Sequence, residues 1–550
     1  MTRRFSLRSA GWAVLGLALT ASAASAQTQT PPAAPAAGKL DLTLEDAVRR
    51  AVDHNPDLAV VRLDSNAQSA RVAEARGAFV PLFNQRFGRS NSASAPSSFL
   101  AGVNGIESRD WFSSTGFSQR LQWGGGTWNA SWDAARTSTN SPLNTFDPAT
   151  QSGLMLAFSQ PLFRDRATDS ARVQYVITKR DLASSELRFK QSVVQTVASV
   201  KQAYWTYKAL TANVTVQQRS LDLAQDLVRQ NQARVRVGEA PPLDLVQAQA
   251  EVANRKENLI RAQASARDAE DALRRLIMDP SDAAFWQVHL DPIDTPANDN
   301  APVDVDQAIA TALSGRYDLS IAQQQLENVD TNIAYFNNQK MPDVRLEGSY
   351  RGGGYGGTQL LRSGAFPGTV TGTLNTGFGN VLGQLFSQDF PTWSVGVSVS
   401  YPVGQSAEKA QLARAQVQRQ QTVQSIESLK LQIVQGVRQA GRQVQSTAER
   451  VDAARASQGL AEQRVTVETR RFEAGLSTTF LVTQAQRDLV QAQVDLLQAM
   501  LDHQSAVIAY EAVQLAAAPG SDNTIGLNNA DVVVMPPATP QGIFRQGGGN

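Results

Sequence analysis

Two long stretches of the chain carry an apolar side chain at every seventh position. The first stripe consists of Val193, Val200, Tyr207, Val214, Leu221, Val228 and Val235, and the second of Val437, Val444, Val451, Val465 and Phe472, with Lys430 and Gln458 as polar exceptions to the period. A sustained seven-residue period predicts a narrow apolar seam that packs by knobs into holes on a neighbouring helix. The helix predicted over about 165–236 would be roughly 100 Å long at ~1.5 Å per residue, so it needs companions along its whole length.

Each long stripe ends near a glycine and is followed by a second helical stripe. Gly238 and Gly475 mark the two turns. The return stripes consist of Leu245, Val252, Leu259 and Leu273 after the first turn, and of Val482, Leu489, Leu496 and Tyr510 after the second. Glycine suits such a turn because it adopts positive φ without steric cost. The pattern therefore predicts two long helical hairpins, over about 165–278 and 405–515.

Between the predicted helices, the period of the apolar positions changes from seven to two. The clearest run alternates serine or glycine with Trp393, Val395, Val397, Val399 and Tyr401. An aliphatic face with aromatic residues at both ends is typical of a strand with one face in lipid. Strands are predicted within about 80–162 and 343–402, most clearly at 83–90, 154–159, 344–350 and 393–401. The glycine-rich stretch 351–390 is predicted to be an exposed loop.

The first group of strands contains an additional hairpin signal. Residues 115–123 and 127–134 are strand-like, and Gly124-Gly125-Gly126 stands between them. Trp128, Ala130 and Trp132 alternate with polar residues in the second of these segments. Two interpretations remain open: a hairpin on the surface of the protein, or two more strands of the same sheet.

The two halves of the chain resemble each other in local sequence and in the order of their predicted elements. Residues 41–48 resemble 302–309, and residues 234–249 resemble 471–486. These matches predict an internal repeat. The first copy would span 41–278 and the second 304–515, with 279–303 as the linker between them.

The termini differ in composition from the rest of the chain. Residues 1–26 have a basic start, a short apolar run and the small-residue ending Ala24-Ser25-Ala26, which together are typical of a secretory signal. We expect a flexible linker at 27–40 and a disordered tail at 516–550. No later stretch approaches the ~18 uninterrupted apolar residues of a transmembrane helix. If the chain crosses a membrane, we therefore expect strands to do so.

Composition excludes several classes of function. Lys+Arg is 51 and Asp+Glu is 50, so the net charge of +1 argues against a nucleic-acid binder. The chain has no cysteine, and its three histidines lie far apart in sequence. No phosphate-binding loop or Ser/His/Asp arrangement is present, and the glycine run 352–357 does not open a predicted helix. We therefore expect no catalytic residue, no metal ligand and no cofactor.

The predicted strands are too few to close a membrane barrel within one chain. Four to six strands fall short of the roughly eight strands of the smallest such barrels. Lipid nevertheless does not tolerate an unpaired strand edge. We therefore expect strands of several copies to pair with one another, which would make the protein an obligate oligomer.

The order of these features resembles the TolC family of outer-membrane efflux proteins over about 41–515. The resemblance rests on Leu42-Thr43-Leu44-Glu45-Asp46-Ala47, Asn55-Pro56-Asp57-Leu58, Gln160-Pro161-Leu162-Phe163 and the two turn segments 234–249 and 471–486. It implies a mainly α fold with a membrane β-barrel. In such a homotrimer, the long hairpins form an α-barrel tunnel in the periplasm that continues into a shared outer-membrane β-barrel.

The resemblance also implies a function and partners. The channel-tunnel of a tripartite efflux or type I secretion system lies in the outer membrane, in contact with lipid. It works with a periplasmic adaptor protein and an inner-membrane RND-type pump or ABC exporter, and itself does no chemistry. The alternatives are a periplasmic coiled-coil scaffold and a passive porin-like outer-membrane protein.

Candidate site residues follow from the same resemblance. The family's hairpin tips meet the adaptor, and here the tip residues are Arg234, Val237, Gly238, Glu239, Arg471, Ala474, Gly475 and Leu476. The best-studied members of the family narrow the tunnel entrance with acidic residues six and nine positions after the second tip glycine. Leu481 and Gln484 occupy those positions here. Asp244 occupies the first of them in the other copy, so we expect Asp244 to be the main charged residue of the constriction.

Overall fold

A computed structural model describes residues 38–95, 105–282, 285–295, 303–365, 368–404 and 406–516. The predicted signal segment 1–26, nearly all of the predicted linker 27–40 and the predicted tail after residue 516 lie outside these ranges. Among the residues described, no helix is both long enough and apolar enough to cross a membrane.

The first half of the chain contains two shorter helices, five strands and a long helical hairpin. The elements are β1 (Lys39–Leu42), α1 (Leu44–His54), α2 (Pro56–Gly77), β2 (Leu82–Ser94), β3 (Ile106–Arg120), β4 (Thr127–Thr139), β5 (Phe146–Pro161), α3 (Ser170–Arg236) and α4 (Pro242–Ile277). The long helix begins where Asp169 caps it, because the Asp169 carboxylate accepts a hydrogen bond from the backbone N–H of Arg172.

The second half has a similar order, with one strand fewer and with an additional helix between its strands. Its elements are β6 (His289–Pro292), α5 (Val305–Gly315), α6 (Tyr317–Gln339), β7 (Asp343–Ser363), β8 (Thr369–Thr376), α7 (Phe378–Ser387), β9 (Thr392–Ser400), α8 (Ala407–Glu473) and α9 (Thr479–Val513). Helices α3 and α8 both have 67 residues, which corresponds to a length of about 100 Å each.

The apolar stripes of the long helices form the contacts that the period predicts. Within each hairpin, α3 packs along α4 and α8 packs along α9, and α3 also contacts α9. Val200 and Val437 are fully buried, and Leu221 and Val451 are each 7% exposed. The seven-residue period therefore located both hairpins correctly.

A small parallel sheet joins the two halves beside the long helices. Strand β1 pairs in parallel with β6, so part of the predicted linker 279–303 is structured. The oxygen of the buried Tyr204 hydroxyl lies 3.0 Å from the Leu42 carbonyl oxygen and 2.9 Å from the Asp294 carboxylate, so its single O–H donates to one of these acceptors at a time. Leu273 and Leu290 are fully buried in the same apolar cluster. This cluster fixes the short strands and α1 against α3 and α4.

The remaining strands form one antiparallel sheet. Across the sheet the order is β2, β3, β4, β5, β7 and β9, and β8 pairs with the far end of β7. The additional hairpin β3–β4 lies between β2 and β5 with continuous register on both sides. Of the two interpretations left open, the structure therefore supports added strands of the same sheet.

The prediction that 351–390 is an exposed loop is wrong. Strand β7 continues to Ser363, and β8 and α7 follow it. Gly352, Gly354 and Gly356 lie within β7, where their missing side chains make room for α7. Glycine density is common in loops, but here it reflects a helix packed closely on a strand.

Candidate functional site

The two hairpin tips close with the same hydrogen-bond pattern. In the first tip, the N–H of Glu239 donates to the Arg234 carbonyl (2.9 Å) and the N–H of Gly238 to the Val235 carbonyl (3.1 Å). The second tip repeats both bonds, from Leu476 to Arg471 (2.8 Å) and from Gly475 to Phe472 (3.0 Å). This arrangement is a Schellman motif, in which a glycine of positive φ ends the helix.

The tip glycines meet both requirements of such a turn. Gly238 has φ of +79° and Gly475 has φ of +74°, a region that side chains other than glycine rarely adopt. A Cβ atom built on either glycine meets no atom within 4 Å. The outer surface of each turn is therefore open to a partner.

Around each glycine, the tips expose apolar and charged side chains together. Val237 is 69% exposed and Leu476 is 72% exposed. The following helix starts add Leu243 at 63% and Phe480 at 64%. Such exposed apolar groups beside charged ones are typical of surfaces that bind another protein.

The charged residues of the tips form local pairs. Arg234 lies 3.9 Å from Glu239 in the first tip. In the second tip, Arg471 lies 3.5 Å from Glu468. Ala474 takes no part in a pair; its N–H donates to the Arg470 carbonyl (3.0 Å) and ends α8. These ion pairs place charged side chains beside each tip glycine and do not cover the glycine itself.

The two tips are attached to each other as well. The Arg234 guanidinium carbon lies 4.5 Å from the centroid of the Phe472 ring, which belongs to the other hairpin. Phe472 is buried together with Leu227 and Val482. A cation over an aromatic face is attractive, so Arg234 joins the tips in addition to lining the first one. The sequence did not predict this second role.

The three proposed constriction residues lie just beyond the tips. Asp244 is half-buried in the first turn of α4, and within the described residues it forms no ion pair. Leu481 is 42% exposed and Gln484 donates a hydrogen bond to Asp488 (2.8 Å), both at the start of α9. The structure therefore puts Asp244 on one hairpin and the other two residues on the second.

Gln484 begins a polar ladder along α9 that the sequence analysis missed. Three glutamines each donate a hydrogen bond to an aspartate four residues later, and the pattern recurs every seven residues: Gln484–Asp488 (2.8 Å), Gln491–Asp495 (2.7 Å) and Gln498–Asp502 (2.7 Å). Arginines of α8 neutralise the first and last aspartates, Arg464 at 2.7 Å and Arg450 at 3.0 Å. The seven-residue period of the polar positions was a signal that could have located the ladder.

A buried ionic cluster connects the hairpins further from the tips. The Glu251 carboxylate of α4 is 5% exposed and accepts hydrogen bonds from Arg255 (2.7 Å) and from Arg487 of α9 (2.5 Å). Burial by itself raises the pKa of Glu251. The hydrogen bond from Arg487 and the charges of both arginines outweigh burial and hold that pKa below its usual range.

The same cluster borders an open cavity of about 640 Å³ between α3, α4 and α9. Asn213, Gln217 and Asn254 are among the residues that line it. The lining is mostly amide and guanidinium groups, so the space between the hairpins is polar. Within the described ranges, no group of three or more histidines, aspartates or glutamates is placed to hold a metal ion.

One family model and several solved structures are similar to this chain. The family model for outer membrane efflux proteins matches residues 127–277 and 308–514. Among solved structures, a membrane protein from Pseudomonas aeruginosa is 18% identical with a TM-score of 0.61, and the alignment covers 89% of this chain and 99% of that one. No curated protein matches by sequence.

Two further solved structures are similar at comparable levels. CusC, a protein that undergoes conformational changes on folding and transmembrane channel formation, is 14% identical with a TM-score of 0.63, and the alignment covers 89% of this chain and 96% of CusC. The outer membrane protein VceC of Vibrio cholerae is 17% identical with a TM-score of 0.60, covering 86% and 96%. At these identities the likeness establishes a shared fold.

Proposed function

Because this chain belongs to the outer membrane efflux protein family, the family of TolC-type channels, we propose that it forms the channel-tunnel of a tripartite efflux or type I secretion system. The protein resides in the outer membrane, with its helical part in the periplasm. Substrates would leave the cell through it, driven by a pump in the inner membrane.

The two-faced sheet is the observation that carries the proposal. One face bears apolar and aromatic residues along all six strands, among them Phe83, Phe117, Trp132, Leu156, Tyr350 and Val397. The opposite face carries polar pairs such as Ser114 with Asp133, and Ser349 with Ser394 at 2.8 Å. This arrangement suits a wall between lipid and an aqueous lumen.

The edges of the sheet support assembly from several copies. Among the described residues, β2 and β9 each have a strand partner on one side only. Lipid would not tolerate these open edges, so β9 of one copy would pair with β2 of the next. Six strands from each of three copies would make a ring of eighteen. Barrels of about that size leave an aqueous channel.

The hairpin tips are where we place the partner proteins. Their open glycines and exposed Val237 and Leu476 suit the docking of a periplasmic adaptor. The adaptor would connect the channel to an RND-type pump or an ABC exporter in the inner membrane. Half-buried Asp244, three copies of which would face one another across the tunnel, would supply the charge of the constriction.

Disulfide cross-linking between copies tests the assembly directly, because the chain has no cysteine of its own. One variant carries Arg86→Cys in β2, on the polar face of the sheet, together with a cysteine at Ser394, Gly396 or Ser398 on the same face of β9. Oxidation should yield a covalent trimer for at least one pair, since paired strands bring Cα atoms within disulfide range of roughly 4.4–6.8 Å.

A matched control uses Ala135→Cys, on the polar face of the central strand β4, with the same β9 positions, and it should yield no trimer. Absence of cross-linked trimer from every β2–β9 pair would contradict the shared ring. Release of the protein from membranes by a carbonate wash would favour the periplasmic scaffold instead.

A further inference from the structure

Helix α7 lies on the apolar face of the sheet. It contacts β7 at Gly352, Gly354 and Gly356, which share a face with Tyr350. Tyr350 in turn is the cross-strand partner of Leu156 and Trp393 on that face. The helix therefore covers part of the surface that the proposed function assigns to lipid.

The close approach of α7 depends on glycine in β7. A Cβ atom on Gly354 would lie 2.0 Å from the Val381 carbonyl oxygen, and one on Gly356 would lie 2.8 Å from a Val381 methyl carbon. The steric requirement for glycine is weaker at position 352, because a Cβ atom there would lie 3.2 Å from a Leu385 methyl carbon. The three glycines thus form a seat for the helix, with Val381 and Leu385 buried against it.

The helix also fills an interval in the strand pairing. Strand β9 pairs with β7 only as far as Arg351, and β8 pairs with β7 only from Gly357. Between them, the Tyr355 N–H donates a hydrogen bond to the Gln384 side-chain oxygen of α7 (2.9 Å). One backbone donor that would otherwise lie at an open edge is therefore satisfied by the helix.

More apolar surface is present on α7 than the glycine seat buries. Phe378 is 42% exposed, Phe386 is 78% exposed and Phe390, just after the helix, is 61% exposed. At ~3.6 residues per turn, Phe378, Leu382 and Phe386 form a stripe beside the buried pair. No charged residue occurs between Arg362 and Asp389.

This exposed stripe is continuous with the apolar face of β9. Phe390 leads into Trp393, which is 72% exposed, and Val395, which is 69% exposed. Gly352 lies nine residues along β7 from Asp343, which is about 30 Å of strand at ~3.3 Å per residue. With the usual tilt near 40°, that places α7 at the outer limit of an apolar band about 25 Å tall.

We propose that α7 is a lipid-facing helix, which lies against the acyl chains at the outer boundary of the membrane and replaces strand wall between β8 and β9. This inference rests on the proposed function, because it requires the apolar face of the sheet to meet lipid. An amphipathic helix with phenylalanine and leucine on one side and uncharged polar residues on the other binds at such a boundary through its apolar area.

Site-directed spin labelling tests this placement in the full-length assembled protein. A nitroxide is attached to Phe386→Cys, and the protein is reconstituted in phosphatidylcholine vesicles. Oxygen, which concentrates in lipid, should relax this label more than a water-soluble nickel complex does. The matched control is Ser387→Cys, the next residue on the polar side of α7, where the nickel complex should be the stronger relaxant.

Each other outcome overturns the inference. A label at Phe386 that the nickel complex relaxes more strongly would place the stripe in water. A label that neither reagent reaches would mean that a second copy covers it. Should Phe386→Cys fail to assemble, Phe378→Cys reports on the same stripe.

A label at Val397→Cys, on the apolar face of β9, separates the two proposals. Lipid exposure at Val397 with water exposure at Phe386 contradicts only the role of α7. Water exposure at both positions contradicts the proposed function itself.

Discussion

Replacing a tip glycine with alanine should weaken adaptor binding without unfolding the hairpin. The added methyl group of Gly238→Ala or Gly475→Ala meets no atom within 4 Å, so it causes no clash inside the chain. Its cost is the positive φ of +79° or +74°, about 1–2 kcal/mol of local strain. The turn has few neighbours to transmit that strain, so the oligomer should assemble normally.

Binding should be affected more than folding. If the adaptor packs against the uncovered glycine, a methyl group there separates the surfaces. We expect a loss of affinity of at least about tenfold, which corresponds to ~1.4 kcal/mol. Titration calorimetry of the detergent-solubilised channel with the purified adaptor measures the affinity, and the heat resistance of the oligomer measures stability.

Gly364→Ala is the matched control for this experiment. Gly364 also has positive φ (+100°) and open space around a built Cβ, but it directly follows strand β7 and not a helix of a hairpin tip. It should lose comparable stability and keep full affinity. Unchanged affinity in both tip variants, or an equal loss in Gly364→Ala, would refute the docking role of the tips.

Three further predictions concern residues inside the helical part. The pKa of Glu251 is lowered in the folded protein, so its contribution to stability is complete above the unfolded pKa of about 4.3 and is lost as pH falls through the folded pKa. Arg487→Gln should therefore move the acid dissociation of the oligomer to higher pH. An unchanged acid titration would contradict the stabilising role of the Glu251–Arg487 pair. Tyr204→Phe removes a buried donor from the Leu42 carbonyl and the Asp294 carboxylate and leaves the Asp294 N–H without its acceptor, so it should cost about 1–3 kcal/mol in thermal unfolding, and wild-type stability would contradict that role. Asp244→Ala should reduce cation selectivity or divalent-cation block in planar bilayers, and unchanged conductance properties would remove Asp244 from the constriction.

The helices were predictable because their signals are local and repeated. Val200 and Val437 belong to seven-residue stripes that specify helix, seam and partner face at once. The tip turns at Gly238 and Gly475 were predictable for the same reason, since a Schellman motif needs a glycine at a fixed place after the last helical turn.

Contacts between distant segments were not predictable from the sequence. Glu251 and Arg487 are 236 positions apart, and no pattern in either segment indicates a contact with the other. The helix α7 was missed because the glycines at 352–357 serve as its seat, a role that only its packing on β7 reveals. The seven-residue ladder that begins at Gln484 is visible in the sequence as a period of polar residues, which a pattern of apolar positions alone does not show.

The mass of the purified protein in detergent tests the shared wall most directly. One chain has a mass of 59.2 kDa before any processing. Light scattering corrected for bound detergent should give three times the mass of the purified chain, because in the proposed ring sister copies fill the edges that β2 and β9 leave open in the described part of the chain. A particle of one chain that keeps its strands and inserts into lipid would contradict the account.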